Sequence, residues 1–290
     1  DGRFYGRGTC DMKGFIAACV ALAPRFAEAR REPVYMAFTH DEEVGCLGAR
    51  HLTAALPDLG ITPRMAVIGE PTEMRLVEGH KGCCEYTVRM QGLAGHGSAP
   101  DLGVNAVEVA LSYVARLQEL REVLKARAPE GGRFDPPWTT INIGALHGGV
   151  AHNVIAGHAV LDWEMRPVQP GDAEFVKADL ARLVEDTLLP RMRARHADSF
   201  IETEVIGEVA GLVPVPDNPA RDLVARITGA NGADVVAFGT EAGLFQAAGM
   251  SAVICGPGSI AQAHKPDEFV ALSELERCLD LLHGLADAVT

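Results

Sequence analysis

The 290-residue sequence predicts an α/β protein in which one domain is interrupted by a second, α+β domain. Three observations carry this expectation. Apolar runs such as "PVYMAFT" (33–39) and "RMAVIGE" (64–70) are continuous, as in strands covered on both faces, and they alternate with stretches of helical period. Near residue 80 the pattern changes to strict alternation, "CCEYTVRMQG" (83–92), as in a sheet with one wet face. After about residue 207 the first pattern returns.

In chain order, 14–29 reads as a helix with an apolar face, which Pro24 can kink. A buried strand over 33–39 follows, then a helix over 46–56 and a second buried strand over 64–70. Such an order indicates a parallel sheet with helices on its faces. Next come the strand 83–92, a long helix over 104–126 and a Gly/Pro-rich surface excursion, "RAPEGGRFDPP" (127–137). Two strands (138–149 and 156–167), a helix opened by "PGD" (172–189) and a strand (200–206) complete a β-α-β-β-α-β order, that of a ferredoxin-like layer pair. Helix 218–228, strand 234–238, helix 241–248, strand 251–255 and helix 273–286 then resume the first domain. The expected division is 1–79, an inserted 80–207, and 208–290.

Composition narrows the function. Lys and Arg number 26 against 39 Asp and Glu, a formal charge of −13, which argues against a nucleic-acid partner. No apolar run reaches the roughly 18 residues of a membrane helix. Seven irregularly placed cysteines do not form a disulfide framework, and with no signal peptide in view a reducing cytoplasm is the expected location.

The chemistry-bearing residues gather at expected strand ends. Asp41, Glu42 and Glu43 follow the run 33–39, and Glu70 ends the run 64–70. Asp11 precedes a helix in "GRGTCDMKG", and His264 lies in "GPGSIAQAHKPDE" beyond strand 251–255. In open α/β sheets the carboxyl ends of strands are where ligands bind. Carboxylates together with imidazole suit a borderline metal such as zinc. Neighbouring Glu42 and Glu43 point opposite ways if extended, which assigns them two jobs: one holds metal, the other takes a proton from activated water. Closely spaced glycines in "CGPGS", including Gly258, can form a backbone nest for an anion.

The motifs "GRGTCDMKG", "THDEEVGCLGA", "VIGEPT", "GLAGHGSAP" and "CGPGSIAQAHKPDEF" span nearly the whole chain and resemble those of the M20 family of metallopeptidases. The resemblance implies a zinc-peptidase-like catalytic domain with an inserted lid and dimerisation domain. It implies two divalent metal ions, zinc or alternatively cobalt(II), bridged by Asp11. Glu43 and His264 complete one site and Glu70 the other, with Glu42 as general base. His96 in the inserted domain is expected to stabilise an oxyanion in the partner subunit's site, which makes the protein a homodimer. Asn153 and Arg166 are expected near a substrate carboxylate, and Glu241 near a substrate amine. The implied substrate is a small N-acyl amino acid, with removal of acetate from N2-acetyl-L-ornithine foremost. A desuccinylase, an acetylcitrulline deacetylase and a dipeptidase or carboxypeptidase are the alternatives. The family also carries a metal-binding histidine in an H-x-D motif well upstream of its bridging aspartate, so a further N-terminal segment is expected ahead of Asp1.

Overall fold

The computed structural model describes residues 2–290. The chain divides into two compact units, one built from residues up to His80 together with Ala210–Thr290, the other from Lys81–Val209.

In the first unit, a four-stranded sheet runs in the order Asp234–Val236, Val77–His80, Ser251–Gly256, Met65–Pro71. Met65–Pro71 and Ser251–Gly256 are parallel, with Ile68 opposite Ile254. Val77–His80 runs antiparallel to Ser251–Gly256 and parallel to Asp234–Val236, so the sheet is mixed and not the parallel one expected. Helices Gly14–Phe26, Pro219–Thr228 and Leu272–Val289 supply Phe15, Val224, Cys278 and Leu281 to a core that also takes Val253 and Cys255 from the sheet. A two-stranded ribbon pairs Arg3–Tyr5 with Phe269–Ala271.

The run 33–39 does not form the expected strand. No strand among the described residues is paired with it, and a run without a ladder leaves its peptide groups to water. Val34, Tyr35 and Phe38 are exposed.

The second unit is an antiparallel sheet in the order Thr140–Gly148, His158–Arg166, Cys83–Gln91, Phe200–Val209. The alternation in 83–92 is met: Cys84, Tyr86, Val88 and Met90 are all buried. They pack on Ala110, Tyr113, Leu117, Leu120 and Leu124 of helix Ala106–Ala126, which repeat at helical spacing. Asn105 starts that helix by accepting the Val107 and Glu108 amides. Tyr86 stacks on Trp163 at 4.6 Å between centroids. The expected helix 172–189 is met and runs on to Arg193, through one wide π-type turn, Val184–Leu188; Pro190, which has no amide hydrogen to donate, follows that turn.

Candidate metal centre

Because Met65–Pro71 and Ser251–Gly256 are parallel, their carboxyl ends lie at one edge of the sheet. Glu70 stands at the first of these ends and is 7 % exposed. Past the second, the chain turns through Gly258 (φ 94°) toward His264 (φ 60°). A Cβ on Gly258 would lie 2.4 Å from the Cys10 Sγ, so only glycine lets this loop press on the turn that carries Asp11. Asp11 itself has φ −119° and ψ 89°, a kink immediately ahead of helix Gly14–Phe26.

The acidic stretch 41–43 is held in a tight turn. Asp41 (φ 52°), Gly45 (φ 102°) and Cys46 (φ 56°) all adopt the left-handed region. For residues with a side chain this costs about 1–2 kcal/mol each, and such strain gathers at functional sites. Gly48 is needed behind the turn, since a Cβ there would sit 2.4 Å from the His40 backbone nitrogen. Glu42 and Glu43 thereby occupy a short 3₁₀ turn, Glu42–Val44, with different surroundings. The Cys46 thiol donates to Glu42 at 3.6 Å, while Glu43 reaches outward to His264.

The turns converge. His264 Nε2 lies 2.8 Å from Glu43 Oε1 and 3.3 Å from Asp11 Oδ2, and one ligand atom from each lies within 4.8 Å of the others. Nitrogen and oxygen ligands about 2.0–2.2 Å from a tetrahedral zinc are themselves roughly 3.3–3.6 Å apart, so the spacing suits a metal. Glu70 shares a hydrogen bond with Asp11. Burial pushes the Glu70 carboxyl well up, and the charges of Asp11, Glu42 and Glu241 push it further. Burial and Glu43 raise Asp11 likewise. Burial, and then Glu43, bring the Glu42 carboxyl to about 7. Carboxylates that crowd one another at this expense are short of positive charge, and a divalent ion supplies it. Asp11, Glu43, Glu70 and His264 are therefore a donor set that fits a metal pair.

A second group able to hold metal, Cys83, Glu85 and Glu164, lies in the other unit, where Glu164 is already paired with Arg166 at 2.7 Å. Arg166 thus spends part of its fork on a carboxylate of its own strand. His96 and Asn153 are brought together there: Gly95–His96 pairs with Val154–Ile155, and the Gly97 amide donates to the Asn153 carbonyl at 2.8 Å. His96 is exposed, with Nδ1 2.8 Å from Ser98 Oγ. In the first unit, Glu241 heads helix Ala242–Ala247 and accepts from Thr39 at 2.8 Å. Cys10 and Cys255 are buried, and burial pushes both thiols up to about 12, as packing residues.

Two polar residues at this centre escape the sequence reading, Thr39 and Glu268. Glu268 accepts the amides of Gly8, Cys10 and Asp11. The acid pair "DE" shortly after His264 was the available signal, but nothing in it shows which backbone groups it meets.

The family model described as peptidase family M20/M25/M40 matches residues 1–288. This chain belongs to that family. The M20 chain is 37% identical over 286 residues to an acetylornithine deacetylase of Myxococcus xanthus, covering 96% of this chain and 70% of that protein. Its fold is similar to that of a tripeptidase from Staphylococcus aureus, with a TM-score of 0.73 at 20% identity, over all of this chain and 74% of that one. A Bacillus subtilis M20 peptidase described as binding a dinuclear metal has a TM-score of 0.57 at 16% identity, over 95% of this chain and 70% of that one. The M20 chain is a metal-dependent amidohydrolase with an α/β fold and a separate lid-like sheet unit. Among the described residues no helix is long and apolar enough to cross a membrane.

Proposed function

We propose that this M20 chain hydrolyses the amide bond of N-acyl amino acids, with N2-acetyl-L-ornithine as the preferred substrate and acetate and L-ornithine as products. The likeness to an acetylornithine deacetylase over 96% of the chain supports the substrate. The observation that carries the chemistry is the division of labour at the acidic turn. Glu43 faces His264, and Glu42, next to it, stays clear of that contact and half-buried.

In this reading Asp11, Glu43, Glu70 and His264 hold the metal ions. When bound, divalent metal polarises the acyl carbonyl and makes water acidic enough to be a nucleophile at neutral pH. Glu42 takes the proton from the attacking water and returns it to the leaving nitrogen. A carboxyl poised near neutrality suits both transfers. His96, contributed by the partner subunit of a homodimer, donates to the oxyanion. Asn153 and Arg166 bind the substrate carboxylate, Arg166 by the parallel hydrogen bonds its planar fork offers. Glu241 accepts the side-chain ammonium. The expected anion nest at Gly258 is not open to substrate, because the Gly258 amide already donates to the Glu274 carboxylate. A cytoplasmic location accompanies this reading.

Hydrolysis of acetylornithine, acetylcitrulline, succinyl-diaminopimelate and a dipeptide, compared side by side in the presence of zinc, tests the assignment. Acetylornithine is expected to give the highest kcat/KM. A higher value for the succinyl substrate or the dipeptide would move the enzyme to a sister activity of the same centre.

A further inference from the structure

We propose that Glu268 is a positioning residue for the metal centre: its carboxylate holds the backbone turn that presents Asp11. The proposal rests on Asp11 being a metal ligand.

Glu268 is 3 % exposed. Its Oε2 accepts the Gly8 amide at 2.7 Å, and its Oε1 accepts those of Cys10 at 2.9 Å and Asp11 at 3.1 Å. Its backbone carbonyl accepts the Gly6 amide at 2.9 Å and the Thr9 hydroxyl at 3.5 Å. One residue therefore stitches down Gly6, Gly8, Thr9, Cys10 and Asp11. The turn needs such an external partner. Asp11 and Met12 depart from helical φ/ψ, so helix hydrogen bonding does not define where the Asp11 side chain points.

A charged carboxylate is the apt acceptor. Three amides converging on one group form an anion cradle, and hydrogen bonds to an ionised acceptor are roughly twice as strong as neutral ones. Burial alone would raise the Glu268 carboxyl, but the three amides outweigh it and hold the group below its usual range. An amide in its place would offer one acceptor oxygen and turn N–H groups toward N–H groups. Glu268 is also four residues beyond His264, in the same loop. It thus ties the loop bearing one ligand to the turn bearing another. Partners that orient ligands from behind typically contribute 10–100-fold to metal affinity.

Zinc affinity of the full chain, measured by competition with a chromophoric chelator, tests this without reference to turnover. Glu268→Gln is expected to weaken zinc binding about 10–100-fold. Glu78→Gln serves as the control for mere destabilisation. Glu78 is buried in the same unit and ion-paired with Arg221 at 3.1 Å, and the Gly8, Cys10 and Asp11 amides go to Glu268 and not to it, so its variant should melt earlier yet bind zinc as the parent does. Asp11→Asn should lose more affinity than either. If Asp11→Asn binds zinc normally, the ligand reading fails. If Asp11→Asn loses zinc while Glu268→Gln binds no worse than Glu78→Gln, the ligand reading stands and the positioning role is overturned. Should Glu268→Gln not fold, Glu268→Asp replaces it. Its charge is kept but its reach is one methylene shorter, so an intermediate loss supports the proposal and parental affinity overturns it.

Discussion

The two halves of the metal centre differ in how they are held. Asp11 and Glu70 form the inner half: the Asp11 side chain is 19 % exposed, Glu70 is 7 % exposed, and the two share a hydrogen bond. Glu43 and His264 form the outer half, with side chains 63 % and 61 % exposed and a single contact at 2.8 Å between them. Fixed placement of charge is obtained in the inner half at the expense of desolvation. The outer half avoids that cost, and its aim depends on backbone turns with left-handed residues, Asp41 and Cys46 around Glu43 and His264 itself. Under the proposed ligand roles, fixed groups on one side and adaptable ones on the other would let a metal enter from solvent and still find preset partners.

The largest effect is expected where the halves meet, at Glu42. Glu42→Ala should lower turnover of acetylornithine by roughly 10²–10⁴-fold, the usual contribution of a positioned acid–base group. Its zinc content after dialysis should match the parent's. Glu43→Ala should instead lose zinc, because a ligand is removed. Retained turnover with lost metal in the Glu42 variant would mean that the two neighbours have exchanged roles.

A smaller effect separates the halves by stability. In chelator-treated protein at pH 8, Glu70→Gln should raise the melting temperature, since it keeps a donor toward Asp11 and removes a buried charge. Glu43→Gln should leave it nearly unchanged, because an exposed charge is already solvated. The pH dependence follows the same logic. A carboxyl raised in the folded state binds its proton more tightly there than in the unfolded chain, so stability falls as pH rises between the two values. For Glu42 the window runs from 4.5 to about 7, and Asp11 and Glu70 act in the same direction. The Glu42 contribution is at most about 3 kcal/mol, and each kcal/mol moves the midpoint roughly 2–4 °C. Thermal melts of metal-free protein from pH 4.5 to 7 should show the decline, Glu42→Gln should flatten it, and zinc should restore stability at the upper end. Equal responses in both halves would erase the distinction drawn between them.

How much of this was legible in the residues depended on how local the determining contacts are. The alternation of 83–92 announced its sheet because the helix Ala106–Ala126 that covers it follows closely and carries its own apolar period. Asp11, Glu43, Glu70 and His264 stood out as strand-end and turn residues of metal-binding type; the structure brings Asp11, Glu43 and His264 together, with Glu70 against Asp11. Val77–His80 is too short and polar to read as a strand, and the Arg221 that pairs with Glu78 lies 143 residues away in the sequence. The mixed sheet order depends on pairing between distant segments, which periodicity does not report. Glu268 lies 257 residues from Asp11, so its three backbone hydrogen bonds leave no trace in local sequence.

The exposed run 33–39 also has a consequence for how this polypeptide is expected to behave in a test tube. Tyr35 and Phe38 are 53 % and 57 % exposed on a segment whose peptide groups have no ladder, and such segments recruit one another between molecules. Self-association of this kind grows with concentration and is resisted by a charge placed within the run. Light scattering of concentrated protein should show less aggregate for Tyr35→Lys than for the parent, with zinc affinity unchanged; equal scattering would clear the run of responsibility. A gatekeeper charge among these seven residues is then the first change to test when the protein must be concentrated.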